Sequence, residues 1–213
     1  MKISIIGAGG NIGQRIAKEA ATRNHELQLI TSKSLDFFGL ENANAVQVTK
    51  GDIFETDALA TLIEGSDVVI SAYAPPHENT DQLFEATQSL VNAAKKANTR
   101  LIAVGGAGSL KVSDDLILVD APTFPEEYKA IALSHQKVLE NIYRKETELN
   151  WTNVSPSAYI FEGERTNQFK VAGDYLIAND KGESAISMED FAVGILNEVD
   201  NNQYNQQRFT IGY

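Results

Sequence analysis

The sequence predicts a doubly wound α/β fold, a mostly parallel sheet with helices on both faces. Two patterns predict it. Short apolar runs alternate with helical patterns along the chain, and a glycine-rich turn joins the first run to the first helix. At 213 residues, 43% of them apolar, the chain is long enough to bury a substantial core as one domain spanning residues 1–213.

The first strand is expected at Lys2–Ile6, where Ile3, Ile5 and Ile6 form a buried run. Gly7, Gly10 and Gly13 follow at GxxGxxG spacing, and residues 11–23 read as a helix. The alternative GxGxxG register, opened by Gly7 and Gly9, fails at its sixth position, Ile12. In a strand–turn–helix, Gly7 permits the tight turn, Gly10 lets backbone approach a pyrophosphate, and Gly13 lets the helix pack closely on the strand. The unpaired N–H groups near Asn11 and Ile12 then face the phosphates. A tight turn with no ligand is the alternative.

Further strands are expected at 26–30, 45–49, 67–71, 100–104, 151–155 and 208–211, and further helices at 57–64, 81–97, 126–148 and 188–199. Thr56, Asn79 (with Gln82) and Ser187 (with Asp190) stand where helix caps belong. Pro125, Glu126 and Glu127 make a favourable first turn. Three longer segments are irregular: 31–44, 105–124 and 156–187. The last two follow strands, so they are the expected walls of a substrate pocket.

Composition excludes several function classes. There are 29 acidic against 18 basic residues, a net charge of −11, and no basic cluster longer than Lys95-Lys96. Nucleic acid is therefore not an expected partner. No apolar stretch is long enough to span a bilayer, and no export signal is evident, so the cytoplasm is the expected compartment. The chain has no cysteine, which excludes disulfides and thiol catalysis. Three scattered histidines and no carboxylate cluster at ligand spacing leave no expected metal site.

The tip of the second strand bears on which dinucleotide binds. It reads Ile30-Thr31-Ser32-Lys33-Ser34, without the acid that holds a ribose 2′-hydroxyl. Thr31, Ser32 and Lys33 suit a 2′-phosphate instead, with Arg15 adding charge, so NADP is expected over NAD. The alternative is a polar surface loop. Asp52 and the Ile53 N–H stand where an adenine is bound, although Asp52 also suits a turn. Ser71, Ala72 and Tyr73 end the fourth strand with room for the cofactor's ribose. Gly105 and Gly106 end the fifth, where close ligand approach and a flexible turn are both possible readings.

These residues resemble an atypical short-chain dehydrogenase/reductase of the NmrA-like branch. Within it, the chain looks like the bacterial NADH-flavin reductase group related to biliverdin reductase B. The resemblance rests on Ile6-Gly-Ala-Gly-Gly-Asn-Ile-Gly13, Val104-Gly-Gly-Ala-Gly-Ser-Leu110, Phe124-Pro-Glu-Glu-Tyr-Lys129 and Trp151-Thr-Asn-Val-Ser-Pro156. It continues through Gly163-Glu-Arg-Thr166, Gly182-Glu-Ser184, Ile186-Ser-Met-Glu-Asp190 and Arg208-Phe-Thr-Ile-Gly-Tyr213. It implies a Rossmann fold, hydride transfer from NAD(P)H, and FMN or FAD as substrate rather than bound cofactor. Pro156 then joins the cofactor-binding residues.

One departure matters. Typical members of the wider superfamily carry Tyr-x-x-x-Lys, in which lysine lowers the tyrosine pKa for proton transfer. Anchored on Glu140, that pair falls at Ala132 and Gln136, and no Tyr-x-x-x-Lys occurs anywhere in the chain. Alcohol dehydrogenation and sugar epimerisation are therefore disfavoured. A flavin or related planar acceptor needs less help, because its ring spreads the incoming charge. Ser109, His135 and Tyr128 are the candidate catalytic residues, each with a bland alternative as turn cap, solvated helix residue or packing aromatic. Tyr159 is a further candidate proton donor, whose alternative is packing against a ring or the core. Phe161, Phe169 and Tyr175 are candidates for an aromatic pocket, while His25 and His77 read as loop or surface residues. A quinone or other small-molecule reductase, and a non-catalytic redox sensor acting through a protein partner, are the rival readings.

Overall fold

The computed structural model describes residues 1–32, 40 and 45–213. The chain opens with strand β1 (Lys2–Ile6), helix α1 (Asn11–Thr22), β2 (Glu26–Thr31), β3 (Val46–Lys50), α2 (Thr56–Ile63), β4 (Val68–Ser71), α3 (Gln82–Lys96) and β5 (Arg100–Val104). It continues with β6 (Lys111–Ser113), β7 (Leu116–Ile117), α4 (Lys129–Asn141), β8 (Trp151–Ser155), β9 (Tyr159–Phe161) and β10 (Lys170–Ala172). The last elements are β11 (Ala185–Ser187), α5 (Met188–Asn201) and β12 (Gln207–Gly212).

The main sheet runs β10-β12-β8-β5-β4-β1-β2-β3. Its pairings are parallel except at the first-mentioned edge, where β10 lies antiparallel to β12 with Lys170 opposite Gly212. Strand order reverses beside β1, which has β2 on one side and β4 on the other. In open α/β sheets that reversal opens the ligand crevice at the carboxyl ends of the strands.

Alternating side chains give the sheet two buried faces. Ile3, Ile5, Val68 and Ile70 pack with Ile16 of α1 and Phe191 and Ile195 of α5. Ile6, Val69 and Leu101 pack on the opposite face with Leu59, Leu90 and Val138 of α2, α3 and α4. The doubly wound layering is as the sequence predicts.

Several local expectations need correction. The helix expected over 126–148 is α-helical only from Lys129 to Asn141, with 3₁₀ turns at Glu126–Tyr128 and Tyr143–Lys145. Ile142, at φ −114° and ψ −68°, leaves helical geometry. Tyr143 is thereby turned into the core, its ring 5.3 Å from that of Trp151. Thr56 is not a cap but the first residue of α2, its hydroxyl 2.8 Å from that of Ser89. Asn79 closes a 3₁₀ turn ahead of α3. Ser187 does cap α5, its hydroxyl accepting the Asp190 N–H at 3.0 Å. The irregular segments also hold short strands: β6–β7 form a hairpin in 105–124, and β9, β10 and β11 lie in 156–187. β12 joins the main sheet between β8 and β10. His25 is buried rather than on the surface, and burial lowers its pKa.

Candidate functional site

The glycine turn joins β1 to α1 at the point of strand reversal. Gly7 adopts φ +74°, which favours glycine, and a β-carbon there would sit 2.7 Å from the Ala72 carbonyl oxygen. A β-carbon on Gly13 would lie 2.2 Å from the Gly7 carbonyl oxygen, so α1 can approach the turn only because residue 13 lacks one. Gly10 differs. A β-carbon there would meet only the Gly7 oxygen, at 3.4 Å, and its φ of −75° is open to any residue. Protein packing does not demand glycine at 10; a ligand resting on the turn would.

Gly10 is also the N-cap of α1, with no side-chain cap and no acid in the first turn. The Asn11, Ile12 and Gly13 N–H groups therefore keep their donor capacity and the positive end of the helix dipole. Gln14 steadies the turn by donating from Nε2 to the Gly9 carbonyl at 3.0 Å. The donor set fits a pyrophosphate.

Beside it, the tip of β2 carries Thr31, buried, and Ser32, exposed; Lys33 lies outside the described residues. Arg15 is directed elsewhere. Its guanidinium donates to Glu189 at 3.0 Å and to the Asn11 carbonyl at 3.1 Å, and pairs with Glu162 at 3.0 Å. This corrects the expectation that it adds charge at the ribose. Asp52 takes its turn role, accepting the Phe54 N–H at 3.0 Å. It is also exposed, with Ile53 buried beside it. The Phe54 ring stands edge-on to Tyr73, centroids 6.2 Å apart. Ser71 is buried below, Ala72 closes on Gly7, and burial followed by the Asp52 charge raises the Tyr73 pKa.

At the end of β5 the glycines have an internal explanation. A β-carbon on Gly105 would come 2.3 Å from Asn153 Oδ1, and one on Gly106 would come 2.8 Å from the His135 Cβ. They make room for two polar side chains of β8 and α4. Asn153 and His135 also line a cavity of about 10 Å³ together with Ser71, Tyr73, Thr87 and Tyr143, room for one water at most. Burial pushes the His135 pKa down to about 4, so the ring is neutral at pH 7. It can hold a hydrogen bond but not a charge. Tyr143 has its pKa raised by burial, against a hydrogen bond with Thr87. Asn153 is the residue that sequence reading missed; its only signal is an amide in the middle of the buried run Trp151-Thr-Asn-Val-Ser155.

The other candidates lie apart. Ser109 is buried and its hydroxyl accepts an Arg208 N–H at 3.2 Å, while a second Arg208 N–H reaches the Ser109 carbonyl at 3.3 Å. Arg208 Nε donates to Asp174 at 2.6 Å. Burial opposes ionisation of Asp174, but Arg208 and Arg144 prevail and hold its pKa low. Tyr128 is exposed in the turn before α4. No hydrogen bond joins Ser109, Tyr128 and His135 among the described residues. Pro156 is buried directly after β8.

The three aromatics do not form one pocket. Phe161 stacks on Tyr159, Phe169 packs against the core, and Tyr175 lies under the Lys111 ammonium. A wider groove of about 370 Å³ runs along α1. Two ion pairs cross it, Arg15 with Glu162 at 3.0 Å and Arg165 with Glu19 at 2.7 Å. It is a salt-bridged seam rather than a ligand crevice.

Known proteins share this arrangement. The NAD(P)H-binding family model matches residues 7–202. The uncharacterized protein YwnB of Bacillus subtilis (strain 168) is 36% identical over 220 residues, covering 99% of this chain and 98% of its own. A solved structure from Burkholderia pseudomallei, provisionally named an exported protein, is 36% identical with a TM-score of 0.90, all of both chains being covered. One from Streptococcus pneumoniae, provisionally named an NADH-flavin reductase, is 30% identical with a TM-score of 0.89, covering 100% of this chain and 99% of its own. With the glycine cradle at the strand reversal and these matches in agreement, the chain belongs to the NAD(P)H-binding family of oxidoreductase-like Rossmann proteins.

Proposed function

We propose that the protein is a reductase that uses NADPH to reduce a free flavin or a similar planar acceptor. The observation that carries the cofactor half is Gly10, where the protein leaves room above free helix N–H groups. Two features support the acceptor half. The position where the superfamily carries its tyrosine is Ala132, buried, and a β-carbon on Gly108 would lie 2.7 Å from its methyl. The Streptococcus pneumoniae relative bears a flavin-reductase name.

When bound, the nicotinamide supplies the hydride. The chain's own part is binding and orientation. The α1 N–H groups hold the phosphates, and Gly7 and Ala72 form the ledge above β1 and β4. His135 and Asn153 offer uncharged hydrogen-bonding groups at the end of β5. An acceptor that delocalises charge needs placement more than a strong acid. In sequence, the Thr31-Ser32-Lys33 tip of β2 carries no carboxylate for a ribose 2′-hydroxyl, which favours NADPH over NADH. We propose the cytoplasm as its compartment, as the sequence leads one to expect; separately, no helix among the described residues is long and apolar enough to cross a membrane.

The test is cofactor oxidation by the purified protein, with NADPH and NADH, in the presence of FMN, FAD, riboflavin or a simple quinone. Flavin-dependent turnover supports the reading, and turnover on quinone alone moves it to a quinone reductase. Tight NADPH binding with no turnover on any acceptor overturns it. The missing Tyr/Lys pair then favours a redox sensor, identified by a protein partner whose affinity follows the cofactor's redox state. An unchanged NADPH affinity in Lys33→Glu would remove Lys33 from the ribose site.

A further inference from the structure

Tyr159 begins β9, four residues beyond the end of β8, at the carboxyl edge of the sheet where open α/β folds bind ligands. Tyr159 and Phe161 alternate along the strand and so share a face. Their rings are stacked, with centroids 5.5 Å apart and planes 12° from parallel. Tyr159 is nevertheless 65% exposed. One side of its ring is backed by Phe161 while the residue stays open to solvent.

The strand that carries the pair is pinned. Tyr159 N donates to the Ser184 carbonyl at 3.0 Å, and Ala158 N to the Ser184 hydroxyl at 3.1 Å. β9 pairs in parallel with β11 from Tyr159 to Phe161. Beyond it, Glu162 meets Arg15 at 3.0 Å, and Gly163 N donates to Glu189 at 2.9 Å. Arg15 lies in the first turns of α1, whose amino end is the phosphate cradle. The carboxyl end of β9 is thus tied to α1, and its amino end to Ser184.

We propose that the open face of Tyr159 is the stacking platform for the acceptor, and that it selects planar conjugated rings. The inference rests on the reductase reading and names the residue that recognises the acceptor. A single exposed aromatic on a surface needs no explanation. This one is backed by a second ring, pinned on both sides, and opens the strand that follows the carboxyl end of β8. Such a preorganised ring loses little freedom when a flat ligand settles on it, and an electron-rich phenol suits an electron-poor conjugated ring in parallel contact.

The test is binding, read independently of turnover. The parent, Tyr159→Phe and Tyr159→Ala are titrated with lumichrome and with riboflavin, in the presence of NADP⁺, following ligand fluorescence. Thermal unfolding of each variant checks that the exposed substitution leaves the fold intact. The expected result is a Kd about tenfold weaker in Tyr159→Ala and nearly unchanged in Tyr159→Phe, from loss of one ring contact. NADPH affinity should be equal in all three, and the acceptor KM should rise with Kd while kcat holds. Equal ring binding by the parent and Tyr159→Ala overturns the platform, even if flavin turnover proves the reductase reading right. Ring binding lost in Tyr159→Ala, with no turnover in the parent, keeps the platform and overturns the reductase. A parent that binds no planar ring overturns the platform.

Discussion

His135 lies directly against Gly106: a β-carbon on residue 106 would come within 2.8 Å of the His135 Cβ and 2.9 Å of its Cγ. Those atoms are near the backbone of α4, so they cannot swing away as a long side-chain tip would. Gly106→Ala is expected to destabilise the protein by about 1–3 kcal/mol through overpacking. Urea unfolding measures it. An unchanged midpoint would show that α4 yields without strain.

The three glycines of the turn should respond differently. Gly13→Ala drives a β-carbon into the Gly7 carbonyl and should lose at least about 2 kcal/mol of stability, by steric conflict with backbone. Gly10→Ala fits the protein and should keep its stability. Gly10→Asp should fold as well, but it sets a carboxylate where the phosphates belong, so NADPH binding should fall by more than about tenfold. Thermal unfolding and cofactor titration of the three variants separate packing from ligand contact. Loss of folding in Gly10→Asp would contradict the room seen at that position.

His135 predicts a pH dependence of stability. Its pKa is held at about 4 in the fold, below the ordinary 6.5. The unfolded chain therefore takes up a proton that the folded chain refuses. Stability from this residue is complete above pH 6.5 and declines as pH falls towards about 4. The decline is at most about 3 kcal/mol, with the partial exposure of the residue making this an upper bound. His135→Gln should lose less stability than the parent between pH 7 and pH 5. Parallel curves for the two proteins would show that the ring is solvated.

Asp190 should matter more than any surface carboxylate. It is buried, accepts the Thr166 N–H at 2.8 Å and the Asn167 N–H at 2.7 Å, and receives the Tyr213 hydroxyl at 2.9 Å. Asp190→Ala leaves these donors without their acceptor and should cost about 3 kcal/mol or more. Hydrogen exchange should speed up at Thr166 and Asn167. Unchanged exchange there would mean that the loop is held by other contacts, such as the Arg165–Glu19 pair.

The sequence made the layered fold legible because its long signals are periodic: Ile3, Ile5 and Ile6 in β1, the glycines after them, and Ser187 with Asp190 at α5. What it hid is short or cooperative. β7 has two residues and β9, β10 and β11 three each, too few for alternation to register. The end of α4 depends on Tyr143 being drawn against Trp151, a contact between distant segments. The glycine turn was readable because one contiguous stretch builds it. Asn153 was not, since its significance arises only when β8 sets it beside Gly105 and α4 brings His135 to the same cavity. Ser109 looked available for chemistry, and only the fold shows that Arg208 engages its hydroxyl.

Arg208 sits on β12, yet it grips Ser109 in the segment after β5 and Asp174 in the segment after β8. In the reductase we propose, these segments flank the acceptor, and a single guanidinium rivets them together. They cannot part independently without breaking that rivet, so admission of a guest does not need one flank to swing like a door. For that proposed site, a rigid berth entered from its open side would follow from one side chain on a neighbouring strand.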